Sequence, residues 1–377
     1  WLCFQHNQEA LVDLPLPDVA VSDSTKFALD YFVTEYLSKY KGLKLSRNLR
    51  QVALEKWRLS EVQCKATNSR VREWKLRPLT GRAASILFDT QRKIASVLGR
   101  LNLPIVLDSC KWGPGATFDL RRSDAALDKK ISGALSVTAE SLPFLRAVIQ
   151  SDPHWVACFT GVIPDGPCSL LSNCFRVVRG SRFLTVPKSA KTDRCIAAEP
   201  TGNSFLQQGV HQYMRRRLRR FGVDLDDQSI NQRRARYAYS SKLSTLDLSA
   251  ASDTISTQLV FDLLPIDWAL FLDSLRSKET YLDGEWVRTE KFASMGNAFC
   301  FELETLIFWA LASSVTEFLG LDDRPTVYGD DIVCHRDAFD LLVEMLEICG
   351  FTVNRKKSFK DGNFFESCGK HYHKGVD

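Results

Sequence analysis

The stretch TVYGDDIVC, residues 326–334, places two adjacent aspartates inside an otherwise apolar segment. Gly329 and Asp330 suit the two central positions of a tight β-hairpin turn, because glycine supplies the positive φ that a type II′ turn requires first. The flanking valines and isoleucine would bury one side of the hairpin. Asp330 and Asp331 would then project together from its tip, where their like charges repel. Since a divalent cation removes that penalty, the stretch predicts a hairpin that presents an acid pair to a metal.

A second candidate metal ligand lies near the end of another strand-like segment. KLSTLDLS, residues 242–249, alternates apolar and polar residues as a half-buried strand does, and it contains Asp247. If this strand lies beside the hairpin, Asp247 faces Asp330 and the carboxylates can bridge two cations about 3.5–4 Å apart. An Asp-Asp pair alone is typical of a solvated turn, but the apolar hairpin and the upstream strand-end aspartate together favour a two-magnesium site.

The net charge of +5 over 377 residues is unevenly distributed. Lys and Arg outnumber Asp and Glu by 15 to 4 over residues 41–100 and by 14 to 5 over 176–236, whereas acids dominate 241–347 by 20 to 7. Two basic regions and one acidic region predict a surface for a polyanion beside a cation site.

Composition narrows the class of protein. A hydrophobic content of 45% is that of a globular protein, and no apolar run approaches the roughly 20 residues of a membrane span. Eleven scattered cysteines without a CxxC pair fit a reducing cytosol. The chain begins with Trp1, shows no secretory leader and ends at Asp377 without a clear stop, so we expect a fragment of a longer protein.

Local patterns predict the elements around these motifs. The TISTQLV helix is predicted to be capped by Ser252 or Asp253. The other predicted elements are helices at 25–40, within 41–100, at 206–222, after 297 to about 319 and at 338–349, a loop at 112–117, a turn at 164–167, and two strands around a basic loop at 182–197.

Taken in order, the motifs resemble those of RNA-dependent RNA polymerases. YGDD (328–331) is similar to motif C, DLSAASD (247–253) to motif A and SMGNAFCFELET (294–305) to motif B. NRKKSF (354–359), FESCGKHY (365–372) and VPKSAKTDR (186–194) resemble motifs D, E and F. Together with EPT (199–201), RRRLRR (215–220) and DLDDQS (224–229), these motifs make the sequence over about residues 110–377 similar to the replicase catalytic (beta) subunits of leviviruses. Leviviruses are the Q-beta type of small positive-strand RNA bacteriophages.

The resemblance implies an α+β right-hand polymerase with fingers, palm and partial thumb, in which an antiparallel palm sheet is flanked by helices. The implied division is an N-terminal and outer fingers region at 1–110, fingers with a basic nucleotide-gripping loop at 111–240, a palm at 241–360 and the start of a truncated thumb at 361–377.

The resemblance also implies roles for single residues. Asp247, Asp330 and Asp331 would bind two Mg²⁺ ions, for which Mn²⁺ is a possible substitute, with the Leu248 carbonyl as a further ligand. Lys188, Lys191 and Arg194 would grip the triphosphate. The ribose 2′-hydroxyl would be recognised by Asp253, Ser294 and Asn297, and Gly296 would let the backbone approach the template or nucleotide closely. Lys357 would protonate pyrophosphate, with Lys356 as the alternative.

The function implied by the resemblance is template-directed RNA synthesis, which replicates a positive-strand phage genome in the cytoplasm of a bacterial host. Implied partners are the RNA template and product, ribonucleoside triphosphates and the host translation elongation factors Tu and Ts, without a membrane. Two alternatives stay open. A reverse transcriptase shares the palm and a YxDD hairpin, although Asp253 and Asn297 argue against it because a DNA-making site fills the place of the 2′-hydroxyl. The other alternative is an RNA-binding replicase fragment without activity.

Overall fold

The computed structural model describes residues 7–40, 42–43, 45–131, 133–161 and 174–377, so the turn predicted at 164–167 lies outside the described residues. The helices α1 to α14 are Gln8–Val12, Ser24–Lys39, Leu49–Glu73, Gly81–Leu98, Leu103–Leu107, Leu127–Ile131, Leu142–Gln150, Pro153–Thr160, Thr201–Arg220, Ser229–Tyr237, Thr257–Leu263, Ile266–Leu275, Cys300–Phe318 and Phe339–Ile348. The strands β1 to β13 are Leu135–Val137, Phe175–Val177, Ser181–Pro187, Asp193–Ala198, Leu243–Leu246, Leu248–Ser249, Glu279–Leu282, Glu285–Arg288, Thr326–Tyr328, Asp331–His335, Thr352–Val353, Phe364–Ser367 and Lys370–His373.

The acid-bearing strands share one antiparallel sheet with the order β5-β10-β9. Asp331 pairs with Tyr328, which leaves Gly329 and Asp330 as a two-residue turn, as predicted. In the same sheet Ile332 lies opposite Leu246 on β5. This register brings the end of β5 beside the start of β10, and the consecutive residues 332–334 of β10 are all buried, so both faces of the strand are covered.

Helix α13 is the centre of the main hydrophobic core. Its side chains are buried from Cys300 to Thr316 apart from two partly exposed positions, and it packs against α4, α9, α14 and strands β9 and β10. The predicted core helix after residue 297 is therefore confirmed. Among the described residues, no helix combines the length and apolarity needed to cross a membrane.

A second sheet carries the basic loop. Its strand order is β4-β3-β7-β8, and the loop between β3 and β4 contains Lys188 and Lys191, as predicted from 182–197. Helix α3 packs on this sheet through Trp57 and Leu54. The β7–β8 hairpin lies in the stretch predicted as palm but pairs with β3, which the same division assigned to the fingers. The predicted domain boundaries themselves stay a prediction.

One predicted helix start is wrong. Residues 251–254 form a 3₁₀ turn, and α11 begins only at Thr257. The reason is a tertiary contact: the Phe292 amide donates to the Ile255 carbonyl at 2.7 Å and Ser256 bridges to Lys291, so the backbone between turn and helix is extended. Neither Ser252 nor Asp253 therefore caps α11. The described residues nevertheless form the predicted α+β fold, with an antiparallel sheet flanked by helices.

Candidate active site

The tip of the β9–β10 hairpin is built around Gly329. Its φ of +61° places it in the region that favours glycine. A Cβ there would collide with the ring of Phe301 and lie 3.2 Å from Glu304 Oε1. The Gly329 amide donates to Thr305 Oγ1 at 3.0 Å. The tip is therefore seated on the first turns of α13, which fixes where Asp330 and Asp331 emerge.

Asp247 stands at the break between β5 and β6, where the chain leaves one sheet and joins another. Asn354 Nδ2 donates to Asp247 Oδ2 at 2.7 Å, and the Asn354 amide donates to the Asp247 carbonyl at 2.9 Å. The Asp247 amide in turn donates to Ser358 Oγ at 3.0 Å. Continuing the register by one residue from the Ile332–Leu246 pair sets Asp247 beside Asp331.

The β12–β13 hairpin supports Asp331 from the other side. The Cys368 amide donates to Asp331 Oδ1 at 3.0 Å, and Ser367 Oγ donates to the same oxygen at 3.2 Å. Cys368 and Gly369 both have positive φ, 50° and 70°, as the centre of a type I′ turn requires. Asn231 Nδ2 fixes the backbone by donating to the Asp331 carbonyl at 2.9 Å. The motif E region thus positions one of the predicted metal ligands.

Burial raises the proton affinity of all three aspartates, and the charge of Asp330 adds to this at Asp247 and Asp331. Burial raises the pKa of Asp247 to about 7, and the negative charges of Asp330 and Asp331 add to this against the hydrogen bond from Asn354. Burial, with Asp330, raises the pKa of Asp331 to about 6. Burial also raises the pKa of Asp330, although Lys188, Lys357 and Arg194 act against it. The site therefore concentrates negative charge that nearby cations offset only from a distance.

The donor set fits a hard divalent cation, because carboxylate and carbonyl oxygens are the ligands that magnesium prefers. Within the described ranges, however, no group of three or more His, Cys, Asp or Glu side chains is arranged to hold an ion. Asp247 and Asp331 each give one oxygen to protein donors in the conformers seen. Leu248, the predicted carbonyl ligand, is buried in β6 opposite Val353.

The basic loop faces this acid cluster through Lys188. Burial and the charge of Arg194 lower the pKa of Lys188, whereas Asp330 raises it, so these three groups lie within electrostatic reach of one another. Lys191 is turned toward the N-terminal region, with its Nζ 3.8 Å from Asp13 Oδ1. The structure therefore brings two of the three predicted triphosphate cations to the acids, and the third only to the same loop.

The predicted ribose-recognition residues lie around the start of α13. Asn297 is buried; its Oδ1 accepts from the Phe299 amide at 3.1 Å, while its Nδ2 has no hydrogen-bond partner among the described residues. Its amide donates to the Ser294 carbonyl at 2.9 Å. Gly296, at φ +113°, packs so closely on the Ala197 carbonyl of β4 that a Cβ would overlap it. The close approach at Gly296 is thus to β4; an approach to template or nucleotide stays a prediction.

Asp253 is already paired. Lys291 Nζ donates to Asp253 Oδ1 at 2.7 Å, and the Lys291 side chain is completely buried.

Lys357 lies within electrostatic reach of Asp247, but its pKa is raised, whereas a proton donor needs a lowered pKa. Its Nζ lies 3.2 Å from Glu366 Oε1. Burial disfavours its charged form, yet Glu366, Asp247 and Glu35 together raise the pKa of Lys357. A general acid needs a lowered pKa, so the side chain holds its proton until the surrounding negative charge is reduced. Lys356 is exposed, and its amide donates to Asn354 Oδ1 at 3.3 Å.

Comparison with known proteins places this site in a family. The profile described as "RNA replicase, beta-chain" matches residues 6–377. The chain belongs to the RNA replicase beta-chain family. The RNA-directed RNA polymerase subunit beta of Escherichia virus Qbeta is 40% identical over 361 residues, which cover 93% of this chain and 58% of that relative. The corresponding subunit of Enterobacteria phage SP is 41% identical over 358 residues, with coverages of 93% and 60%.

The chain thus spans about three fifths of the length of these replicase relatives. The levivirus-type resemblance drawn from the motifs is confirmed. Among solved structures, an insertion-loop deletion mutant of a human picobirnavirus RNA-dependent RNA polymerase aligns with 89% of this chain and 72% of its own, at 15% identity and a TM-score of 0.42.

Several residues of this replicase site were missed from sequence. Glu304 lies buried beneath the hairpin tip and accepts from Ser252 Oγ at 2.5 Å; burial, then Asp330, raises its pKa well above the usual value. Its only local signal is an acid in an apolar helix. Lys291, Asn354 and the Cys368 amide gave no signal, since their partners are distant in sequence.

The basic region 176–236, which predicts a surface for a polyanion, includes the arginine-rich end of α9. In the structure Arg215 Nε donates to the buried Glu302 at 2.8 Å, and Arg217 Nη2 donates to the Ser96 carbonyl at 2.9 Å. Arg219 Nη2 donates to Asp224 Oδ1 at 3.0 Å. These three side chains therefore have partners within the protein.

Proposed function

We propose that this chain is the catalytic part of an RNA-dependent RNA polymerase that copies the genome of a positive-strand RNA phage. It would join the 3′-hydroxyl of a growing RNA to the α-phosphate of a ribonucleoside triphosphate and release pyrophosphate. The observation that carries the proposal is the meeting of Asp247, Asp330 and Asp331 at adjacent strand ends, with raised pKa values at all three. Family membership supports the same conclusion.

Two Mg²⁺ ions, or Mn²⁺ in their place, would be held by the three aspartates and the Leu248 carbonyl and would supply activation of the attacking oxygen and neutralisation of the leaving group. The chain's own part is to fix those oxygens. Asn354 orients Asp247, and Cys368 and Ser367 orient Asp331, so the cluster is pre-organised on rigid strands.

The basic loop and α13 would bind the two ends of the nucleotide. Lys188 and Arg194, which lie in the field of Asp330, would grip the triphosphate, with Lys191 further along the same loop. The unsatisfied Nδ2 of buried Asn297 is a donor that a ribose hydroxyl can satisfy, beside Asp253 and Ser294.

Lys357 would hold the proton that leaves with pyrophosphate. Its raised pKa depends on Glu366 and Asp247, so neutralising Asp247 lowers the cost of giving up that proton.

The substrates, partners and location of the polymerase are proposed by extension from its relatives. Polymerases of RNA phages act on RNA templates with ribonucleoside triphosphates, and we extend both substrates to this chain. We also propose host elongation factors Tu and Ts as partners and the bacterial cytoplasm as the location.

The test is nucleotide incorporation on an RNA template by the natural full-length chain, with Asp330→Asn as the variant. Loss of one carboxylate from the cluster should lower incorporation by roughly three orders of magnitude or more. The matched control is Asp322→Asn, which removes an exposed acid from the loop before β9 and should leave the rate unchanged.

Full activity of Asp330→Asn would refute the metal assignment. A preference for deoxyribonucleotides in the wild type would instead indicate a reverse transcriptase, and RNA binding without incorporation in magnesium would indicate an inactive RNA-binding protein.

A further inference from the structure

Lys291 is a completely buried lysine whose ammonium is enclosed by three groups. Its Nζ lies 2.7 Å from Asp253 Oδ1 and 3.3 Å from Glu61 Oε1, and 4.9 Å from the centroid of the Trp57 ring. Trp57 and Glu61 stand one turn apart on α3, whereas Asp253 belongs to the 3₁₀ turn after β6. A lysine is rarely buried completely unless its charge is matched, and the two carboxylates match the charge of Lys291.

The ion pair with Lys291 occupies one oxygen of the Asp253 carboxylate and leaves the other oxygen available. Oδ1 accepts from Lys291, and within the described part of the chain no hydrogen bond reaches Oδ2. The Asp253 side chain keeps 14% of its exposure, whereas that of Lys291 keeps none. The ion pair therefore fixes the carboxylate from the protein side while its second oxygen remains an acceptor.

Asp253 also lies close to the start of α13. The 3₁₀ turn that carries Asp253 contacts this helix, and Ser252 Oγ in the same turn donates to Glu304 Oε2 of the helix at 2.5 Å. The Cys300 amide donates to the Asn297 carbonyl at 3.2 Å. The free acceptor of Asp253 and the unsatisfied Nδ2 donor of Asn297 thus belong to the same neighbourhood.

We infer that Lys291 is a positioning residue that holds the Asp253 carboxylate in the orientation in which it accepts a hydrogen bond from the ribose 2′-hydroxyl, and that it thereby sets the preference for ribonucleotides over deoxyribonucleotides. The inference rests on the proposed polymerase function and deepens it. Among the described residues the Lys291 ammonium pairs with Asp253 and Glu61 and not with Asp247, Asp330 or Asp331, so its effect on the nucleotide would pass through Asp253.

The chemistry of the pair explains why a lysine serves here. Burial opposes the charged ammonium, but Asp253 and Glu61 outweigh it and raise the pKa of Lys291, so the cation persists at the pH of RNA synthesis. A charge-assisted hydrogen bond is shorter and more directional than a neutral one. An uncharged side chain of the same length would leave the carboxylate free to turn away from the ribose.

The experiment compares incorporation of UTP and dUTP by the natural full-length polymerase and by Lys291→Met. The ratio of kcat/KM for UTP to that for dUTP should fall about tenfold to a hundredfold, the range for one hydrogen bond to a charged group. The kcat/KM for dUTP should stay near the wild-type value, because dUTP has no hydroxyl for Asp253 to accept from.

Lys130→Met is the matched control. Lys130 is a second buried lysine, whose ammonium donates to the Gly113 carbonyl in another part of the molecule. Its replacement tests the general effect of removing a buried ammonium and should leave the UTP to dUTP ratio unchanged.

Two further variants make the result decisive. Asp253→Asn should lower the ratio of UTP to dUTP incorporation as Lys291→Met does. The double variant should lower this ratio no further than either single change, because the two side chains act together and losing either one already removes the oriented acceptor. If Lys291→Met does not fold, Glu61→Gln with Lys291→Met removes one charge of each sign, so the cluster keeps its net charge; the ratio in that variant should fall by the same factor.

An equal loss of UTP and dUTP incorporation in folded Lys291→Met, or in the charge-balanced double variant, would overturn the positioning role and leave the polymerase function intact. A wild type that incorporates neither nucleotide would overturn the proposed function, and the positioning role with it.

Discussion

Two groups of carboxylates in the same site have opposite electrostatic environments. Asp253 forms an ion pair with the buried Lys291 at 2.7 Å. Asp247 and Asp331, by contrast, receive their direct hydrogen bonds from an amide side chain, a hydroxyl and a backbone N–H. Burial and the negative charge of Asp330 raise the pKa of Asp247 to about 7 and that of Asp331 to about 6.

The difference shows which charges the fold balances by itself. The charge of Asp253 is matched inside the protein, so this residue needs nothing from outside to be stable. The charges of the palm acids are oriented but not neutralised, which costs free energy that a bound cation would recover. An aspartate with an internal cation is suited to recognition, and aspartates without one are suited to metal binding.

The largest effect should come from removing the internal cation. Lys291→Met leaves Asp253 and Glu61 without the ammonium that both contact, and breaking a buried pair in this way costs about 3–5 kcal/mol. The free energy of unfolding, measured by urea denaturation at pH 7, should fall by that amount.

Lys130→Met sharpens the contrast. Burial lowers the pKa of Lys130, and its buried ammonium bonds a carbonyl, so no carboxylate loses a partner. Its replacement should change stability by less than about 1 kcal/mol. Equal losses in the two variants would remove the distinction between a paired and an unpaired buried lysine.

A smaller effect is expected from pH in the absence of divalent ions. Asp247 and Asp331 bind protons more tightly in the folded than in the unfolded chain, so the unfolded state holds fewer protons between about pH 4 and 7 and stability falls as pH rises through this window. We therefore expect the free energy of unfolding to fall as these two groups lose their protons across this window.

Magnesium should cancel that loss. Because ions bind carboxylates and not carboxylic acids, added Mg²⁺ should raise the melting temperature at pH 8 and leave it unchanged at pH 5. Thermal unfolding with EDTA or Mg²⁺ measures both effects. Asp330→Asn should weaken the magnesium response at pH 8; an undiminished response would place the ion elsewhere.

The hairpin and its acids could be predicted because their signals are local. The strand predicted over 242–249 forms as β5 and β6 with a break at Asp247, and the Gly329–Asp330 turn forms as predicted; each signal depends on a few neighbouring residues. The order of the motifs along the chain was then enough to predict the family to which the chain belongs.

The environment of Asp253 could not be predicted in the same way. Its helix-capping role is wrong because residues 255–256 are drawn into contact with 291–292, a pairing that no local pattern encodes. The contact of Lys291 with Glu61 joins positions 230 residues apart. The raised pKa of Lys357 likewise depends on Glu366 and Glu35, which lie on other elements.

The smallest effect is expected from Asn354, whose replacement tests whether this residue acts on the pKa of Asp247 or only on its orientation. The Asn354 side chain donates to Asp247 Oδ2 and lowers its pKa against burial and repulsion. Asn354→Ala should therefore raise the pKa of Asp247 further and shift the acid limb of the activity profile to higher pH. One hydrogen bond to a carboxylate, at the lower end of about 1.5–3 kcal/mol, corresponds to roughly a tenfold loss of incorporation at pH 7. Because the loss comes from protonation, it should diminish at pH 8.5, whereas a loss that is equal at both pH values would mean that Asn354 acts on geometry alone.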